Sequence, residues 1–422
     1  MNSLRSLSRC TCVGVGLIAC SLAAWLVVAL LHASGPQAHA RLPNDAYIWQ
    51  RIWTPAVVDA LRESTGPVQG WHILAAEYDS GPGGERWSSV SPDWRALSAL
   101  NAPVTAVFRI DGHVERWDGA ALATDIAVRL ATWRARGVTV AGVEIDYDCA
   151  TSHLADYARF LQTLRGAIST DGAIHLTVTA LPTWLQSPEL DVLLASSDEA
   201  VLQLHAVMNP VEGLFDPERA FRWAAAFAQR TSRPWRVALP AYGSRVTWGV
   251  DGRIVAIESE RPTLYPGGVA HELVASPDVV RAFVARLDSQ RPRGLAGIVW
   301  FRLPTDADAR AWSLATWRAV LARDSLSGQL DVIAHPSTQA GLYDVSLVAR
   351  GNADMPLPRI VRLARTCTVG DGINGYALDY DAQGMLLRRA QPGLLRAGNQ
   401  LNIGWLRCST APSSKVTFHV EP

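Results

Sequence analysis

VAGVEIDYDCATSHLADYARF, Val140 to Phe160, is the stretch that decides how this chain folds. Its first half sets an acid at every second position, Glu144, Asp146 and Asp148, with Val143, Ile145 and Tyr147 between them. Successive side chains of a strand point to opposite faces, so the three acids share one face and the apolar residues the other. Its second half opens a helix at the Thr151-Ser152 cap. A strand of this kind needs helices over its apolar side and an enclosed polar space on the other.

The same alternation of strand and helix runs outward in both directions. Strand patterns are AYIWQRIW (46–53), WHILAAEYD (71–79), VTAVFRID (104–111), VAGVEIDYD (140–148), AIHLTVTAL (173–181), AVLQLHAVM (200–208), WRVALPAY (235–242) and GLAGIVWFRL (294–303). Helix signals stand between them: a Ser91-Pro92 cap, a run ending at Gly137, and Asp216-Pro217 and Ser276-Pro277, where a capping side chain precedes proline at the first helical position. Eight strands, each followed by a helix, predict α/β architecture, a (β/α)8 TIM barrel over 41–324. Between its last two strands a β-hairpin insertion spans about 244–270 and turns at Asp251-Gly252, with Trp248 and Tyr265 placed to wall one side of a cleft. From 325 to 422 short alternating strands replace the helices and predict a small C-terminal all-β sandwich-like domain.

Residues 1–40 read as a leader. Arg5 and Arg9 precede the uncharged run Val13–Leu31, and Ala38-His39-Ala40 fits a cleavage site. Three readings stay open: a cleaved signal peptide, an uncleaved membrane anchor, and a lipoprotein cut before Cys20. All three put the body outside the cytoplasm, periplasmic or anchored to the periplasmic side of the inner membrane. In that oxidising setting Cys367 is expected to pair with Cys408, leaving Cys149 as a small buried residue.

Composition excludes several functions. Lys+Arg and Asp+Glu are both 39, so the chain is neutral and no basic run suits nucleic acid. Lysine occurs once, at Lys415, which removes a Walker-type phosphate loop and argues against Schiff-base chemistry. No CxxC or HExxH pattern is present, and neither a metal nor an organic cofactor is expected. Thr305 to Asp308, TDAD, reads as a helix N-cap, with a metal-binding DxD as the alternative. The 16 tryptophans suit a core and also offer flat faces to sugar rings.

Strand parity selects the interior set. Arg109 and Asp111 oppose Phe108 and Ile110; His175, Thr177 and Thr179 oppose Ile174, Leu176 and Val178; Gln203 and His205 oppose Leu202 and Leu204. Tyr242 shares parity with Pro240, Trp300 with Arg302, and Glu77 and Asp79 end the second strand. Members nearest the C-terminal strand ends form the mouth, where such barrels place chemistry. The bland alternative is a structural ion network of Arg109 with Asp111 and Glu144, and His205 divides evenly between site and satisfied core. Three neighbouring acids repel each other, so at least one holds its proton beside an ionised partner. That division is what glycosidic bond cleavage uses. Asp148, nearest the mouth, is the expected general acid; Asp146 orients or modulates it, and Glu144 supports from deeper. Expected substrate contacts are His205, Gln203, Tyr242, Trp300, Arg109, Asp111 and Glu77.

GVEIDYD resembles the fourth-strand signature of glycoside hydrolase family 18, the chitinase family, D-G-x-D-x-D-x-E. On that pattern Gly142 matches the glycine, Glu144 and Asp146 stand at the second and third aspartates, and Asp148 falls at the catalytic glutamate. VALPAYG (237–243) is similar to the family's seventh-strand P-x-Y-G, and Trp300 sits where its eighth strand carries a floor tryptophan. Ala141 departs from the first aspartate, and VLQLHAVMN lacks the sixth-strand tyrosine and aspartate that hold the acetamide. Nearly the whole exported chain also resembles a bacterial family of unknown function, number 3142 among such domains, grouped with glycosidase-type barrels. Together these imply an exported glycoside hydrolase-like protein acting on an envelope or extracellular polysaccharide or oligosaccharide. The alternative is a barrel that binds a glycan without cleaving it.

Overall fold

The structure, a computed structural model, describes residues 40–81, 84–114, 117–169, 174–205, 213–249, 251–258, 268–308, 310–363, 367–391, 393–409 and 420–421. The expected leader, Tyr265 and Lys415 lie outside them. Among the described residues no helix is long and apolar enough to cross a membrane.

In chain order the first part contains β1 (Asn44–Ile48), α1 (Pro55–Glu63), β2 (Gly70–Gly81), β3 (Gly84–Ser89), α2 (Trp94–Ser98), β4 (Val104–Ile110), α3 (Gly119–Ala135) and β5 (Val140–Tyr147). There follow α4 (Leu154–Ile168), β6 (His175–Ala180), α5 (Leu190–Ala195), β7 (Glu199–Gln203), α6 (Pro217–Phe227) and β8 (Trp235–Pro240). Then come β9 (Gly243–Trp248), β10 (Ile254–Glu258), β11 (Val269–Val274), α7 (Pro277–Ser289), β12 (Leu295–Phe301) and α8 (Leu314–Ala322). Eight strands, β1, β2, β4 to β8 and β12, pair in parallel, and β1 closes the ring by bonding both β2 and β12. Closure leaves no open barrel edge. The outward residues of β5, Val143, Ile145 and Tyr147, join one apolar layer with Leu154, Tyr157 and Leu161 of α4. A smaller apolar set, Tyr47, Leu74, Val107, Val201, Ala238 and Val299, fills the interior.

The helix starts differ in detail from the sequence expectations. Asp216 caps α6 as expected, accepting from Arg219 N at 2.9 Å. The cap of α2 is Asp93, not Ser91. Ser276 precedes Pro277 without bonding through its side chain, since the proline ring alone presets the first helical φ. A 3₁₀ turn, Thr151–His153, leads into α4 with no side-chain cap. Asp308 caps a turn, accepting from Arg310 N and Ala311 N, while Ser313 caps α8. Strand β2 runs on past the barrel and returns as β3, a hairpin the sequence did not announce. The insertion turns at Gly252 (φ +75°) and gains a third strand, giving the order β10-β9-β11.

The C-terminal part comprises β13 (Gly328–Pro336), β14 (Leu342–Gly351), β15 (Met355–Pro356), β16 (Ile360–Arg362), β17 (Cys367–Gly372), β18 (Tyr376–Asp381), β19 (Gly384–Arg389), β20 (Leu394–Leu395), β21 (Gln400–Cys408) and β22 (Val420–Glu421). Two antiparallel four-stranded sheets, β13-β14-β21-β17 and β18-β19-β16-β22, supply a shared core that includes Val345, Leu347, Val361, Leu387 and Leu406. Cys367 and Cys408 face each other across β17 and β21 and are disulfide-bonded; Cys149 is free and buried. This part grips the barrel at two points. Asp354 accepts from Ser313 N at 2.8 Å and from the Thr316 hydroxyl at 3.0 Å, at the start of α8. Arg396 donates to the carbonyls of Thr305 and Ala311, at 3.1 and 3.0 Å, in the loop after β12.

Candidate active site

The barrel interior carries a column of polar groups. At the N-terminal strand ends Arg236 lies 3.0 Å from both Asp45 and Glu199. Above them His72 stands between two carboxylates, with Nε2 3.6 Å from Asp45 and Nδ1 2.6 Å from Glu144. The Tyr47 hydroxyl donates to the other oxygen of Glu144 at 2.6 Å. Burial alone would strip the His72 proton, but Glu144 and Asp45 outweigh it and raise the imidazole to about 9. Asp45 is held low: burial works against its charge, but the hydrogen bond and charge of His72 and the charge of Arg236 prevail.

At the C-terminal strand ends a cavity of about 200 Å³ opens. Asp146, Asp148, Arg109, Gln203, His205 and Thr179 supply its polar lining, and Tyr47, Trp49, Ala238 and Phe301 the rest. Asp146 is buried, accepts from the Thr179 hydroxyl at 2.7 Å and has Arg109 Nε at 4.0 Å. Asp148 follows the last residue of β5 and is exposed at the mouth. Gln203 Nε2 lies 3.4 Å from one oxygen of each acid. Burial, and then the charge of Asp148, push Asp146 up to about 8, against the pull of Arg109 and Thr179. Desolvation by the cavity walls, and to a smaller degree the charge of Asp111, raise Asp148 too, against the charge of Arg109 and the Gln203 hydrogen bond. The pair thus holds a proton near neutral pH.

His205 is buried with its ring stacked on Phe301, and its Nε2 has no hydrogen-bond partner among the described residues. Burial lowers it to about 4, so the ring is neutral at physiological pH. Its Nδ1 is 3.5 Å from the Tyr242 hydroxyl.

Of the expected residues, Asp148, Asp146, Gln203, His205 and Arg109 meet at one cavity, and Glu144 lies beneath, withdrawn into the column. Glu77 stands behind Arg109, 3.3 Å away, and also binds Arg51, so it braces the cavity instead of lining it. Tyr242 lies one layer back, against His205 and Phe301. Trp248, in β9, does not line the cavity. Two expectations are corrected. Asp111 lies past the end of β4, where the chain turns, and its carboxylate binds the His113 amide and ring at 2.8 Å. Trp300 faces the helices: it is fully buried beside Trp312 and donates to Asn44 at 3.1 Å. The pairing of Val299 with Ala238 and Asp45 turns the odd-numbered residues of β12 inward, so Phe301 enters the cavity in its place.

Sequence reading missed Tyr47, Trp49, Phe301 and His72. Tyr47 and Trp49 were visible as alternate residues of the first strand pattern; nothing local marked His72 as the partner of Glu144. Among the described residues no group of three or more His, Cys, Asp or Glu is placed to hold a metal. A larger depression, about 490 Å³, lies outside the barrel between α3 and α4. Its one carboxylate, Asp156, is paired with Arg159.

The structure is similar to that of a chitinase from Chromobacterium violaceum ATCC 12472 (14% identity, 67% of this chain and 98% of that one, TM-score 0.47). It is also similar to the spore cortex-lytic enzyme SleL of Bacillus megaterium QM B1551 (10%, 69% and 76%, 0.47). A third similar structure is a glycoside hydrolase family 18 N-acetylglucosaminidase from Paenibacillus barengoltzii (12%, 67% and 98%, 0.41). No curated protein matches the sequence. Residues 332–409, in the C-terminal part, match a domain of unknown function, DUF8456. Residues 101–306, from the residues before β4 to the loop after β12, match the model of DUF3142, a domain of unknown function.

Proposed function

We propose that this protein is an exported glycoside hydrolase acting on an envelope or extracellular polysaccharide, with Asp148 as the acid that protonates the leaving oxygen. The observation that carries the reading is the arrangement of Asp146 and Asp148. Both line one cavity, bridged by Gln203 at 3.4 Å from each, and the pair holds a proton near neutral pH. Trp49, Tyr47 and Phe301 give the same cavity the aromatic faces that suit a sugar ring. In the resting protein the proton sits on the deeper Asp146, and Asp148, exposed at the mouth, delivers it as substrate excludes water. The N-terminal segment supplies export, by cleavage or by anchoring to the periplasmic side of the inner membrane.

The test is release of reducing ends from a panel of glycans, including chitooligosaccharides, by the full chain and its Asp148→Asn variant. Loss of product by about 10²- to 10⁴-fold is expected. Equal release by both overturns the assignment. A second reading, glycan binding without turnover, is favoured by His205. A neutral imidazole with a free Nε2 inside the cavity offers a hydrogen bond but no charge. Saturable oligosaccharide binding in calorimetry, with no cleavage on prolonged incubation, would select it.

A further inference from the structure

We propose that His72 is a positioning residue: bonding Glu144 through Nδ1 while its other ring nitrogen faces Asp45, it ties Glu144 into the buried column and so confines the exchangeable proton of the acid cluster to Asp146 and Asp148. The role rests on the reading of that pair as the working acids.

The geometry is specific. Both oxygens of Glu144 are taken, one by the Tyr47 hydroxyl and one by His72 Nδ1, each at 2.6 Å. The second ring nitrogen faces Asp45 at 3.6 Å. A neutral imidazole has a single N–H and serves one of these carboxylates; an imidazolium serves both. The groups facing His72 come from three strands: Asp45 and Tyr47 from β1, Glu144 from β5, and Arg236 from β8 acting through Asp45. Thr105, opposite in β4, is uncharged. With an imidazolium, two cations in the column face the carboxylates Asp45, Glu144 and Glu199; with a neutral ring Arg236 would face all three alone. Asp45, His72 and Glu144 are all buried, where an uncompensated charge is costly. His72 does not line the cavity, and Glu144, which it binds, acts on Asp146 through its charge. Each oxygen of Glu144 is held by a donor of the column, Tyr47 or His72, and not by a member of the acid pair.

The test uses the isotope-labelled full chain with no glycan present, so it decides the role of His72 whether or not the protein proves to be a hydrolase. Nitrogen NMR of the imidazole is expected to show both His72 nitrogens protonated at pH 7. In Glu144→Gln the His72 midpoint falls by at least about one pH unit, a tenfold weaker hold on the proton. In His72→Gln, Glu144 loses its Nδ1 partner and is no longer tied into the column, so it joins the exchange of the acid cluster and the Asp146–Asp148 midpoint falls by a similar amount. That midpoint is read from side-chain carboxyl carbon shifts and assigned with Asp146→Asn. A purely structural histidine would lower the melting temperature and leave the midpoint where it was. A neutral His72 ring at pH 7, or an unmoved or raised midpoint in His72→Gln, overturns the proposal. Should His72→Gln not fold, Glu144→Gln decides alone.

Discussion

The Phe301 ring stacks on the His205 imidazole, with centroids 5.1 Å apart and planes at 24°. This contact places the last residue of β12 in the cavity and leaves its neighbour Trp300 among the outer helices. The two aromatics should therefore fail in different ways. Trp300→Ala removes a fully buried side chain and is expected to cost on the order of 3–5 kcal/mol in denaturant unfolding. Phe301→Ala, at a partly exposed position, is expected to cost less while weakening oligosaccharide binding about tenfold or more in calorimetry. The reverse pattern would mean that β12 presents its other face.

Stability should fall as pH rises above neutrality. The folded-state value of His72, about 9, exceeds its ordinary 6.5, so its contribution is complete below 6.5 and lost as pH passes 9. Asp146, raised from 3.8 to about 8, works in the same direction from 3.8 upward. His205, lowered to about 4, does the opposite and adds stability between 4 and 6.5. Scanning calorimetry should show a melting temperature declining from pH 6.5 to 9, with a His72 contribution on the order of 3 kcal/mol. His72→Gln should flatten that decline. A wild-type melting temperature that rises over the same range would contradict the charge assignment.

If the acid pair performs the chemistry, turnover needs its proton. Activity should drop above about pH 8, the value to which Asp146 is raised. Asp146→Asn removes the group that carries this limb, so the alkaline fall should move or vanish in a kcat/KM profile. An alkaline limb unchanged in Asp146→Asn would assign the proton elsewhere.

Cys367 and Cys408, 41 residues apart, close a loop across β17 and β21. Loop-closure entropy for that length amounts to about 4 kcal/mol. Cys367→Ser is expected to lose roughly that much, read as a lower urea midpoint. The Asp146–Asp148 titration, in the barrel, should be unaffected.

Asp354 binds the start of α8 and also accepts from Ala397 N at 2.8 Å, so it ties the barrel to the C-terminal sheets. Asp354→Ala strands the Ser313 and Ala397 amides and is expected to cost about 3 kcal/mol. Its unfolding should separate into two steps in calorimetry, because the C-terminal part has its own core. A single unchanged transition would show that the two parts are held by other contacts.

Much of this protein was already determined by its order of amino acids. The period of two in each strand is a property of the backbone itself. It put Asp146, Asp148, Gln203, His205 and Arg109 inside a barrel before any packing was known, while the pairing of Cys367 with Cys408 was expected from the oxidising setting that the leader implies. Tertiary structure decided what periodicity does not carry. In β2 the pairing with β4 shifts between Leu74 and Ala76, so Leu74 and Glu77 both face inward although three positions apart. In β12 the two neighbouring strands chose Phe301 over Trp300. The bond from His72 to Glu144 joins residues 72 positions apart, and Trp300 reaches Asn44 across 256. Local pattern determines which residues can share a face. Only closure of the ring, with its stagger between strands, determines which of them meet, because that meeting depends on register between segments far apart in the chain.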